Sequence, residues 1–137
     1  MVWRWWLIGL YGVLLWLIPF AASCFCFDKT GKLWMDKTAF KSLMMVLSAS
    51  VGTAAFWSLV RQHLYLDADS LSALCVTSGF VWLGINYALD LLVLLPMGQY
   101  SLLVWFVEIG VRYMPMPLTG WLLGEAIRMA AGLKEGP

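Results

Sequence analysis

Residues 5–27 read WWLIGLYGVLLWLIPFAASCFCF, a run with no charged side chain and one interruption, Pro19. A helix rises 1.5 Å per residue and the hydrocarbon core of a bilayer is about 30 Å thick, so about 20 apolar residues cross it. The stretch therefore predicts a first transmembrane helix over 5–27. Pro19 fits that reading, because neighbouring helices re-satisfy the carbonyl that a proline frees. A cleavable leader is the competing reading, with Arg4 as its positive end and Ala22-Ser23-Cys24 as a weak lipoprotein-type cleavage box. The continuous span is preferred.

The same pattern recurs outward along the chain. Residues 28–37 (DKTGKLWMDK) are charged and carry a Thr-Gly turn signal, which predicts a water-exposed loop. A second apolar run covers 40–60, a polar connection follows over 61–70 (RQHLYLDADS), and a third run covers 71–95 before Pro96 and Gly98. The remainder is less regular. Residues 101–114 are mostly apolar but hold Glu108 and Arg112, Met114-Pro115-Met116-Pro117 interrupts them, and a further apolar stretch begins at Leu118. One continuous helix from 101 to 133 would measure roughly 50 Å, longer than the bilayer core, so the segment must break. The preferred reading is a fourth span over 101–123, broken or kinked at Pro115/Pro117, with an interfacial C-terminal tail over 124–137. A re-entrant first piece followed by a crossing over 118–133 is the alternative. The fold class is thus an all-α integral membrane protein, a single transmembrane domain over 1–137 built as a bundle of about four transmembrane helices.

Composition supports this. Of 137 residues, 62% are hydrophobic and 12% charged, whereas soluble domains are about 45–50% apolar and about 25% charged. Nine tryptophans suit the headgroup boundary, where an indole is wet on one edge and apolar on the other. A net charge of +1 without a basic surface cluster excludes nucleic acid as a partner. Lipid and other membrane protein subunits remain the expected partners, a homo-oligomer is a further option, and the expected location is a plasma or inner membrane. Orientation does not follow from charge. Lys29, Lys32, Lys37 and Lys41 fall at one end of a four-span bundle and Arg4, Arg61, Arg128 and Lys134 at the other, which leaves the positive-inside comparison tied.

The candidate site lies in the third and fourth segments. Asn86 and Asp90 are four residues apart, as are Glu108 and Arg112, so each pair shares a helix face. An antiparallel hairpin turning near 96–98 would bring all four into one intramembrane polar cluster. A lone charge at the bilayer centre costs about 2.5–3.5 kcal/mol on insertion scales, so pairing is expected. The cluster has two readings: an ion pair network that fixes helix packing, or an ion site beside a broken helix. The first is preferred.

Candidate helix-packing residues are Ser48, Gly52 and Ala55, in a nearly all-small stretch of the second run, and Gly120 and Gly124, a GxxxG pair in the last. Small faces let backbones approach closely in lipid, and Ser and Thr hydroxyls there can bond back to their own helix. Cys24, Cys26 and Cys75 show neither metal nor disulfide spacing, and burial is expected for all three. His63, the only histidine, cannot build a bis-imidazole or HExxH site alone and is expected beside Tyr65 at the interface. No GxSxG, P-loop or GxGxxG is present, so no catalytic residue, metal or cofactor is expected. Short spans in a small chain look superficially like the small multidrug transporters, whose defining acid lies in the first helix; residues 5–27 hold none, so that mechanism is not implied. The preferred function is a small non-catalytic accessory or structural subunit of a larger membrane protein complex. The alternative is a small homo-oligomeric transporter or ion channel built on the acid/Arg cluster.

Overall fold

The computed structural model describes residues 4–98 and 101–132. Among the described residues, three helices are long and apolar enough to cross a membrane. They are α1 (Trp5–Cys24), α2 (Lys37–Gln62) and a composite helix over Ala68–Gly98. The composite consists of α3 (Ala68–Leu89), a π-helical turn (Asp90–Leu94) and α4 (Leu95–Gly98). The chain then forms α5 (Leu102–Glu108), a 3-10 turn (Gly110–Tyr113) and α6 (Pro115–Gly132).

Helix starts follow capping chemistry. Asp36 caps α2 by accepting from the backbone N–H groups of Thr38 and Ala39, and Asp67 caps α3 by accepting from Ser70 N–H. The first span ends at Cys24 rather than Phe27, because residues 25–36 fold into an ordered loop. Trp34 N–H bonds Cys26 O, Phe27 bridges Leu33, and Gly31 takes a φ of 77° that favours glycine. Within that loop the Asp28 carboxylate accepts from Thr30 Oγ1 and from the N–H groups of Thr30 and Lys32. The third helix does not stop at Pro96. Proline has no N–H for the residue 92 carbonyl and crowds it, and the chain widens to a π turn, in which Leu95 N–H bonds Asp90 O five residues back.

The last segment departs from expectation in two ways. The break lies upstream of the prolines, over residues 109–114, where Ile109 leaves helical geometry (φ −125°, ψ −53°) and the 3-10 turn follows. Pro115 and Pro117 occupy the first turn of α6, where a missing N–H is harmless and the fixed φ suits the helix. Nor does a helix end near residue 123: α6 runs through Gly132, so residues 124–132 of the expected tail are helical, while 133–137 and with them Lys134 lie outside the described residues.

The composite helix sits centrally. α1 lies parallel to it, with Trp82 Nε1 donating to Ile8 O and Trp16 Nε1 to Asp90. α6 lies antiparallel, pairing Gly79 with Met116 and Pro117, Cys75 with Gly120, and Ser72 with Gly124. The core joins Ile8 and Leu15 of α1, Phe56 and Leu59 of α2, and Leu74 and Trp82 of α3. The outward surface is apolar, including Trp57, Leu92 and Leu103, as lipid contact requires.

The caps set a pH dependence. Hydrogen bonds hold the carboxyls of Asp28 (from Thr30, then Lys32), Asp36 (from Ala39, then Thr38) and Asp67 (from Ser70) below their ordinary value of 3.8. A depressed folded-state pKa gives stability that is present above the unfolded value and lost as pH falls through the folded one. The melting midpoint in detergent should therefore be insensitive to these groups between about pH 8 and about pH 5 and should fall below pH 3.8. The triple variant Asp28→Asn, Asp36→Asn, Asp67→Asn should start lower and show a shallower acid limb.

Candidate functional site: a buried carboxylate held by indoles

Ser78, Trp82, Asn86 and Asp90 recur every four residues and form one face of the central helix, and Ser78, Trp82, Asn86 and Asp90 are all fully buried. That face meets α1 in a constant register. Trp82 Nε1 donates to Ile8 O at 2.8 Å, Asn86 Nδ2 to Gly12 O at 3.3 Å, and Trp16 Nε1 to Asp90 Oδ1 at 2.6 Å, each pair 74 residues apart. Gly12 permits the approach: a Cβ there would lie 2.6 Å from Ile85 Cδ1 and 3.0 Å from Trp82 Cδ1. Asn86 Nδ2 also donates to Trp82 O at 2.8 Å, while Asn86 Oδ1 and Ser78 Oγ have no partner among the described residues.

Asp90 opens the π turn, a distortion frequent at functional positions. Its second oxygen accepts from Trp105 Nε1 of α5 at 3.2 Å, and the Tyr113 phenol of the 3-10 turn lies beside the same carboxyl. Tyr87 completes the enclosure, donating its hydroxyl to Gly110 O at 3.0 Å and meeting Trp105 edge-to-face. One carboxylate thus ties α1, the central helix, α5 and the 3-10 turn together. Indole N–H groups donate and cannot accept, so both bonds serve the oxygens of the acid. Tyrosine alone of the three neighbours could exchange a proton with it.

The structure does not gather the four residues of the expected cluster. Asn86 and Asp90 face α1. Glu108 forms an ion pair with Lys41 of α2 at 3.2 Å, both side chains more than a third exposed. Arg112 is half-exposed and makes no salt bridge among the described residues. The reason is local. Glu108 ends α5 and Arg112 lies in the 3-10 turn, so four-residue spacing no longer means a shared α-helical face.

Sequence reasoning missed Trp16 and Trp105, because it assigned tryptophans to the headgroup boundary, and Tyr113, which carries no signal of its own in the sequence. A signal existed for Trp16: it lies well inside the first apolar run, where an indole N–H needs an acceptor.

The small residues divide. Gly120 and Gly124 are buried against α3, where a Cβ would lie 2.5 Å from Cys75 O and 2.6 Å from Ser72 Oγ respectively. Ala55 is buried, and Gly52 faces Leu15 at an ordinary contact distance, whereas Ser48 is half-buried and Ala49, Ser50, Thr53 and Ala54 face outward. His63 lies beside Tyr65 as expected, at the C-terminal end of α2, and is fully buried within the chain, with Nδ1 on Leu59 O and Nε2 without a hydrogen-bond partner among the described residues. Cys26 and Cys75 are buried, but Cys24 is exposed. No group of His, Cys, Asp or Glu among the described residues could hold a metal ion. Comparison with protein families, with curated proteins and with solved structures finds no match for this chain.

Proposed function

We propose that the chain is a non-catalytic accessory subunit of a larger complex in a plasma or inner membrane, with α5, the 3-10 turn and α6 together making a fourth, broken crossing. The observation that carries this reading is the outward face of α2. Of its 26 residues only Ala55, Phe56 and Leu59 are buried within the chain. Ala49, Ser50, Thr53 and Ala54 point away from it. Ser50 Oγ bonds Val46 O at 2.8 Å and Thr53 Oγ1 bonds Ala49 O at 2.9 Å, so the face is small and its hydroxyls are spent on the helix itself. In lipid such a face gains by contact with another helix backbone. The polar groups support the same reading: Asp90 is sealed by neutral donors and Glu108 pairs with Lys41, so the acids line no common path.

The test is native gel migration and mass spectrometry after extraction in mild detergent. The wild type should travel with foreign membrane subunits, and Ser50→Leu with Ala54→Leu should release it while leaving its melting midpoint unchanged. Migration as copies of itself alone would favour the homo-oligomeric reading and overturn the proposal.

A further inference from the structure

The Lys41–Glu108 pair sits among more cations than it neutralises. The cations acting electrostatically on the Glu108 carboxylate are Lys41, Lys37 and Arg112, in that order. Lys37 is exposed one helical turn before Lys41 on α2, and Arg112 is half-exposed in the 3-10 turn that follows α5. Asp36, which caps α2, accepts from the N–H groups of Thr38 and Ala39 and keeps its negative charge. Where α2 begins, the five cations Lys29, Lys32, Lys37, Lys41 and Arg112 thus stand against the three acids Asp28, Asp36 and Glu108, an excess of two positive charges.

Such an excess needs a counter-anion. Long basic side chains at membrane depth extend toward the headgroups, where the anion at hand is phosphate. Basic clusters of this kind between helices are the recognised form of site for phosphorylated headgroups. The opposite end of the bundle differs, because its described cations Arg4, Arg61 and Arg128 are matched in number by Asp67, Asp69 and Glu125, and Arg128 pairs with Asp69 at 2.9 Å and Glu125 at 3.2 Å. We infer that Lys37, Lys41 and Arg112 form a binding site for the phosphate of an anionic lipid headgroup. Arg112 supplies a planar donor fork to the phosphate oxygens, and the two lysines supply charge. Glu108 holds Lys41 in place.

The full chain, purified alone in detergent, tests this without any partner complex. Phosphatidylglycerol, phosphatidylcholine and inorganic phosphate are added separately, and retained lipid is counted by native mass spectrometry alongside the melting midpoint. Phosphatidylglycerol should be retained and should raise the midpoint, whereas phosphatidylcholine and inorganic phosphate should not. Arg112→Gln and Lys37→Gln should each weaken retention about five-fold, the effect of removing one cation near a charged surface. Arg61→Gln, at the other end of α2, should leave it unchanged. Should Arg112→Gln fail to fold, the exposed Lys37→Gln still gives the measurement. Equal retention of phosphatidylcholine, an equal shift with inorganic phosphate alone, or wild-type retention by Lys37→Gln would overturn the inference.

Discussion

Asp90→Leu is expected to melt far below the wild type and to release α5 and the 3-10 turn from the bundle. The substitution removes the acceptor of Trp16 Nε1 and of Trp105 Nε1 at a position with no exposed surface. Each orphaned buried donor costs about 1–3 kcal/mol, against a total stability of about 5–15 kcal/mol for a typical domain. Denaturant unfolding in detergent, followed by tryptophan fluorescence, measures the loss directly. Asp90→Asn keeps one acceptor oxygen and should fall between. Removing the donors as well should recover much of the stability, because replacing all partners of a polar contact with apolar groups is far less costly than removing one. Asp90→Leu combined with Trp16→Phe and Trp105→Phe is that test. Arg112→Leu removes no ion pair among the described residues and should melt close to the wild type in lipid-free detergent. If Asp90→Leu were as stable as the wild type, the carboxylate would not be fastening these segments.

Gly120→Leu should detach α6 from α3. A Cβ at residue 120 would lie 2.5 Å from Cys75 O, 3.2 Å from Cys75 C and 3.3 Å from Phe56 Cζ. The first two atoms are backbone and cannot rotate aside, so the helices must separate, and with them the contacts of Met116, Leu123 and Ile127 with the core. Overpacking costs about 1–3 kcal/mol where the surroundings can adjust, and here the adjustment is a whole-helix displacement. Gly79→Ala should act similarly, with its Cβ 2.7 Å from Met116 O and 2.8 Å from Pro117 Cα. Gly84→Ala on the same central helix is the control, since nothing lies within 4 Å of the added carbon. It should be neutral or stabilising by up to about 1 kcal/mol, the helix preference of alanine over glycine. Melting midpoints that fail to separate Gly120→Leu from Gly84→Ala would rule out close packing of α6 on α3.

The sequence alone determined that the chain is helical and membrane-embedded, and it located three spans to within a few residues. Bilayer thickness and helix rise convert directly into run length, and the aspartates at 36 and 67 start their helices by purely local bonding. Asn86 and Asp90 were legible as costly buried polar groups for the same reason: a charge in an apolar run is visible in one dimension. Their partners were not. Trp16 is 74 residues from Asp90, and the parallel register of α1 against the central helix that joins them is set by Gly12, whose missing side chain lets the backbones close. The proline signal was read one turn late, since a proline can break a helix or begin one, and only the packing of α6 against Gly79 selects the second. That choice put Glu108 and Arg112 on either side of a break and gave Glu108 to Lys41. Tertiary structure decided these pairings because helix contacts in lipid depend on the shape of small-residue faces and on which buried donors find acceptors, and the four-residue spacing that marks such a face in the sequence does not say which helix it meets or in what register.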